Sequence, residues 1–226
     1  MVALKRIVTT ETLDIFPRNH GFIYAEKINL PDHRVKINYF SYDFETQSSS
    51  PFTKNAYLLS KFGNSFKSIA SQLGNYITCD VGHLQNRKTM VVYHTGESGI
   101  FNADGQLIWT GDLLYHECPV KDIIADGKYF WCAVPKDNSI IRYHTRNLNV
   151  DLRIGGGHSK CFDKPQSIFK IDDDVYVSNA GSKKIRIVNI KDYTVKDYLQ
   201  FEESVWKYMR IENKEIVMLD SGIYEL

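Results

Sequence analysis

The chain shows almost no helical periodicity. Short runs rich in Val, Ile, Tyr and Phe recur instead, separated by turn residues, a pattern that predicts many short strands. Val175 and Val177 fall on one face and Tyr176 on the other, as in a strand packed between two neighbours. The runs also repeat. An offset of 45 residues lays 120–124 over 165–169 and then brings Ile123 onto Ile168, Trp131 onto Tyr176, Ile140 onto Ile185 and Val150 onto Val195. Each unit reads as four strands, in the second unit roughly 166–171, 175–179, 184–190 and 195–200.

The same grammar continues on both sides. Upstream, 76–80, 89–94, 99–102 and 107–110 form a unit with an Asp104-Gly105 hairpin turn. The first unit, about 20–73, is less regular, with strand-like runs at 22–28, 35–44, 56–62 and 66–70. A polar stretch around 47–51 interrupts it and is expected to be a mobile, protease-sensitive loop. Downstream, 206–211, 215–219 and 222–225 supply only three strands, while residues 3–9 are a strand to spare. Repeats of this length divide the 226 residues about five times. The expectation is therefore all-β: a five-bladed β-propeller of four-stranded antiparallel blades, one domain over 1–226, closed by the N-terminal strand. The blades fall at about 20–73, 75–112, 116–156, 163–201 and 204–226 plus 2–10. Closure removes two open sheet edges. A six-bladed ring is the rival count.

One unit carries a more specific pattern. Arg153-Ile154-Gly155-Gly156-Gly157 is followed by Phe162, Lys164-Pro165, Ile168, Val175-Tyr176-Val177, Asn179 and Lys184-Ile185-Arg186-Ile187. This resembles an NHL-type or YVTN-type propeller repeat over about 153–190. The resemblance implies the fold and a loop-built rim that commonly binds proteins, RNA or small molecules; fold alone does not choose among these. Gly155 to Gly157 suit a tight exit at positive φ, and Pro165 suits the first position of an inner strand.

Composition narrows the classes of function. Lys and Arg number 28 against 27 Asp and Glu, a formal charge of +1, so no global field draws in nucleic acid or an anionic membrane. No apolar run reaches the length of a membrane span. The opening residues carry no export signal, and Cys79, Cys118, Cys132 and Cys161 lie far apart; reduced thiols in the cytosol are expected. The expected partner is a protein or a small-molecule ligand, with no nucleic acid and no membrane, bound by a monomer that needs no cofactor.

The resemblance places inter-blade loops and second-to-third-strand loops on one rim beside the channel. They carry His116, Glu117, His158, Asp163, Glu202, Glu203, Trp206 and Lys207, the candidate ligand-binding residues. His116, Cys118, His158, Cys161 and Asp163 are donor types that suit zinc, yet their spacing matches no metal signature; small buried cysteines at blade junctions are the ordinary outcome, and no metal is expected. Glu117, Asp163, Glu202 and Glu203 could form the carboxylate pair of a glycosidase, and Asn179 and Asp220 lie at strand ends comparable to those that hold a cation in six-bladed lactone hydrolases, though the acidic partners are unmatched. Acids at turns are usually just solvated, and Asn179 reads as a turn former. Gly155 to Lys160 lacks P-loop spacing, and Gly96-Glu97-Ser98-Gly99 is too short for a nucleophile elbow. Trp206 is expected in a blade interface, with stacking on a ligand the less ordinary role. The reading is a non-catalytic binding propeller; the alternative is a small hydrolase acting on a glycoside or lactone.

Overall fold

The computed structural model describes residues 4–31, 33–63 and 79–226. It contains five antiparallel four-stranded sheets in a ring. Blade 1 runs Thr12–Arg18, Gly21–Asn29, Val35–Asp43 and Ser48–Phe52; blade 2 runs Cys79–His83, Thr89–Tyr93, Glu97–Phe101 and Leu107–Asp112. Blade 3 runs Lys121–Asp126, Tyr129–Val134, Ser139–His144 and Val150–Gly155; blade 4 runs Pro165–Ile171, Asp174–Asn179, Lys184–Asn189 and Val195–Gln200. Blade 5 takes Val205–Ile211, Lys214–Leu219 and Gly222–Glu225 from the C-terminal end and Lys5–Val8 from the N-terminal end.

The repeat in the sequence is a repeat in register. Trp131 pairs with Arg142 where Tyr176 pairs with Ile187, and Ile140 pairs with Ile154 where Ile185 pairs with Leu199. Burial peaks at the second strand of a blade and is low at the outermost. In Tyr129–Val134 all but the first residue are buried, whereas Val195–Gln200 has no buried residue. The second strand buries both faces because each blade packs between two others. Phe130, Cys132 and Val134 face blade 2, while Trp131 and Ala133 face blade 4. Val175 and Val177 face blade 3, and Tyr176 faces blade 5. Each of the five junctions holds one apolar cluster.

The ring closes as expected. Lys5, Arg6 and Val8 pair with Glu225, Tyr224 and Ile223. Val8 and Ile223 then join the cluster between blades 5 and 1. Gly155, Gly156 and Gly157 have φ of 86, 79 and 54. A Cβ on Gly155 would stand 2.7 Å from the Asn138 carbonyl oxygen, so the turn out of blade 3 requires glycine there.

Blade 1 departs from expectation in three ways. Its innermost strand, Thr12–Arg18, begins before residue 20, in a stretch that Pro17 disguises. The polar stretch at 47–51 is not a loop: Ser48–Phe52 pairs with Tyr39–Asp43 as the outermost strand. An edge strand needs a backbone ladder more than apolar side chains and tolerates Pro51; the Tyr24 hydroxyl also donates to Ser49 Oγ at 3.0 Å. Third, 56–62 is not a strand but lies in a helix, Lys54–Phe62. Thr53 caps it, its Oγ1 accepting from the Ala56 N–H at 3.1 Å, and Gly63 ends it at φ 62. Tyr57, Leu58, Lys61 and Phe62 share its buried face, which wedges between blades 1 and 2. The expected run at 66–70 lies outside the described residues.

Candidate functional site

Strand direction sorts the loops. Inter-blade connections and second-to-third-strand turns share one rim, here the upper; first-to-second and third-to-fourth turns share the lower. Every innermost strand starts at the upper rim and runs down the channel wall. Near that start, among the described residues, four of them break register by one residue, leaving Leu13, Asp122, Gln166 and Trp206 unpaired. A bulge re-aims the side chains around it. These four, with Asp14, Lys121 and Lys207 among their neighbours, line a pocket of about 100 Å³ at the channel mouth.

A charge cluster adjoins the pocket. Asp14 follows the bulge in blade 1, and its side chain is only 15% exposed. One carboxylate oxygen accepts from Lys61 Nζ at 2.9 Å and from the Tyr57 hydroxyl at 3.2 Å; the other accepts from Lys207 Nζ at 3.2 Å. Lys61 comes from the wedged helix and is 1% exposed. Both ammonium groups also lie over the Phe16 ring, Lys207 at 4.4 Å and Lys61 at 5.2 Å. Burial alone would raise the Asp14 pKa, but the charges of Lys207 and Lys61 outweigh it and hold the carboxyl below its ordinary range.

Two further contacts join inner strands at the mouth. Lys121 Nζ donates to Gln166 Oε1 at 3.1 Å, and the Ile168 N–H donates to Asp122 Oδ2 at 2.9 Å. Asp122 sits at φ 42, a conformation that a short polar side chain tolerates best. The opening is thus edged by cations, carboxylates, an amide and an indole.

Of the eight residues expected from the sequence, Trp206 and Lys207 stand in this pocket. Trp206 is not buried between blades: it is 37% exposed, its indole N–H donating to Asp220 Oδ1 at 2.6 Å. The other six lie on upper-rim connections outside the pocket lining. His116 and Glu117, at φ 45 and 62, form the turn of a small hairpin between Leu114–Tyr115 and Cys118–Pro119. The His116 ring stacks on Tyr115 with centroids 4.1 Å apart. His158 is exposed, as is Asp163, whose backbone N–H donates to Asn179 Oδ1 at 3.3 Å. Glu202 is exposed and its carbonyl accepts from Lys183 Nζ; Glu203 accepts from the Ser221 N–H and hydroxyl, both at 2.8 Å. Among the described residues no group of three or more His, Cys, Asp or Glu is arranged to hold a metal ion, and no helix is long and apolar enough to cross a membrane.

Asp14, Tyr57, Lys61, Lys121, Asp122 and Gln166 escaped the sequence reading. A signal for three of them was present. The 45-residue offset lays Lys121 on Gln166 and Asp122 on Ser167, putting polar pairs at the start of inner strands where apolar alternation would otherwise begin.

No family model matches the chain, and no curated protein matches it. Solved structures do. A catalytically inactive virginiamycin B lyase from Staphylococcus aureus with quinupristin superposes with a TM-score of 0.57 at 8% identity, over 96% of this chain and 80% of that one. A streptogramin B lyase gives 0.53 at 10% identity, over 99% and 96%. Saccharomyces cerevisiae Sqt1 gives 0.51 at 11% identity, over 91% and 68%. At such identities the likeness is one of propeller fold.

Proposed function

We propose that this propeller is a binding module that holds a small polar ligand at the upper mouth of its channel. The observation that carries the reading is the ring of bulges, which turns Leu13, Asp122, Gln166 and Trp206 toward one opening beside the Asp14–Lys61–Lys207 cluster. Both signs of charge, an amide and a half-exposed indole suit a hydroxylated or zwitterionic molecule. Hydrolysis of a glycoside would ask for a carboxyl group with a raised pKa to act as acid. Asp14 is held the opposite way, ionised, and Glu203 already spends both oxygens on Ser221.

A thermal-shift panel of monosaccharides, polyols and free amino acids tests the reading. A ligand at about 100 times its Kd adds about 2.7 kcal/mol, which for a chain of this size raises the midpoint by roughly 5–10 °C. The expected result is a stabilising compound whose effect disappears in Trp206→Ala and Lys121→Met, both folded by circular dichroism. A panel with no stabilising member, or a shift that survives both substitutions, overturns it.

A further inference from the structure

The lower rim carries a second feature, independent of the channel mouth. Two pockets flank the turn between the first and second strands of blade 2. One, of about 420 Å³, is edged by His83, Arg87 and Lys88; the other, of about 360 Å³, by Lys88, Lys128 and Arg146. Leu84 and Lys88 line both, so the two adjoin across this turn and together form a depression on blades 2 and 3. Among the described residues no carboxylate lines either half. Among the described residues none of Arg87, Lys88, Lys128 and Arg146 reaches an ion-pair partner.

Two acids of blade 3 are engaged by other groups. Asp126 is held by Lys170 at 3.5 Å and by the Trp131 indole at 3.1 Å. Asp151 is engaged by Arg142 and His144. Asp104 follows Ala103 in the chain and lines neither half. The rest of the lower rim is not like this. The pocket between blades 5 and 1 sets Glu212 against Arg18 and Arg210, and the blade 4 turn carries Asp172 and Asp173. In a chain of net charge +1, four cations with no carboxylate partner among the described residues form a local field on this depression, not a general one.

The turns that carry these cations have a fixed backbone. The Leu84 N–H donates to the Lys88 carbonyl at 2.8 Å, closing the turn, while Asn86 and Arg87 sit at φ 59 and 57. Such left-handed pairs are costly for non-glycine residues and persist where the surroundings fix them. Across the depression, the Thr145 N–H and hydroxyl both donate to the Lys128 carbonyl, at 2.9 and 3.0 Å. That pins the Lys128 turn beside the turn bearing Arg146.

We infer that this depression binds a small soluble molecule carrying two or more phosphate groups, one in each half, with Lys88 between them. Guanidinium groups at both ends match phosphate oxygens bidentately. The width of two pockets favours a polyphosphorylated molecule over a single phosphate. Tripolyphosphate serves as the probe in isothermal titration calorimetry, with inorganic phosphate beside it.

Saturable binding of tripolyphosphate, tighter than that of inorganic phosphate, is expected. Arg87→Gln and Arg146→Gln should each weaken it at least about tenfold, the loss of one charge-assisted hydrogen bond. The exposed Lys196→Gln, on the outer edge of blade 4, and Trp206→Ala, at the channel mouth, should leave it unchanged. Affinity should fall as NaCl rises from about 0.05 to about 0.5 M. No binding, equal losses in Arg87→Gln and Lys196→Gln, or equal affinity for phosphate and tripolyphosphate would overturn the inference. So would tighter binding of a short single-stranded RNA or of phosphoinositide vesicles. Loss of binding in Trp206→Ala would move the site to the channel mouth and overturn it equally.

Discussion

Asp14→Asn removes one charge from the centre of the molecule and leaves its shape nearly intact. The Asp14 carboxylate faces Lys61, 1% exposed, and Lys207, 17% exposed. Lys207 can turn its ammonium toward water at little cost; Lys61 cannot. Removing one partner of a buried pair leaves the other charge poorly compensated, which costs about 3–5 kcal/mol. At roughly 2–4 °C per kcal/mol for a domain of this size, the melting midpoint should drop by about 6–20 °C. Urea unfolding followed by tryptophan fluorescence measures the loss directly, since Trp131 is fully buried between blades 3 and 4. Lys61→Met should cost much less. It removes the buried ammonium, keeps an apolar stem between Phe16 and Phe62, and leaves Asp14 paired to Lys207. The double variant should therefore recover most of the stability lost in Asp14→Asn, with a coupling of at least about 1.5 kcal/mol. An Asp14→Asn cost below about 1 kcal/mol, or an additive double variant, would refute the reasoning and make the cluster a solvated one.

Acid titration should show the same cluster. The folded Asp14 pKa is lowered, so its contribution is fully present above the unfolded value near 3.9 and is lost as pH falls through the folded one. The stability gap between wild type and Asp14→Asn should be flat from about pH 5 to 7 and shrink below about pH 4; a gap that widens in acid contradicts this. Deleting residues 1–10 strips Lys5–Val8 from Gly222–Glu225 and uncovers Ile223; burial of Val8 alone is worth about 1.5–3 kcal/mol, so the urea midpoint should fall clearly, and an unchanged transition would contradict closure by this strand. Tyr208 buries a hydroxyl that has no hydrogen-bond partner among the described residues. Tyr208→Phe should then be neutral or stabilising by up to about 1 kcal/mol, and a loss of more than that would reveal a partner.

Legibility in the sequence followed what repeats. The second and third strands of blades 3 and 4 share a register position by position, because alternating faces packed between like neighbours leave a period-2 trace. Closure was legible because an unpaired edge is costly and the chain carries three strands at one end and one at the other. Blade 1 was harder for a physical reason. Its edge strand is stabilised by backbone pairing to the third strand, so Ser48 to Ser50 show no apolar signature. Its helix was nonetheless marked, by Thr53 and Gly63 at its ends and by Tyr57, Leu58, Lys61 and Phe62 on one face. Site residues left the faintest trace. Trp206 and Lys207 were placed by the loop rule, but Asp14 and Lys61 lie 47 positions apart and meet only because a helix wedges between two blades. No local pattern encodes that meeting.

Ligand at the channel mouth is the central claim, and fluorine NMR on protein labelled with 5-fluorotryptophan tests it most directly. The chain has three tryptophans: Trp131 buried between blades, Trp109 on the outermost strand of blade 2 and Trp206 at the mouth. Trp206→Phe assigns the third resonance. Titrating in the best compound from the stabilisation panel should shift the Trp206 signal saturably, while Trp131 and Trp109 stay in place. A compound that stabilises the protein yet leaves the Trp206 resonance unmoved through saturation would contradict the account.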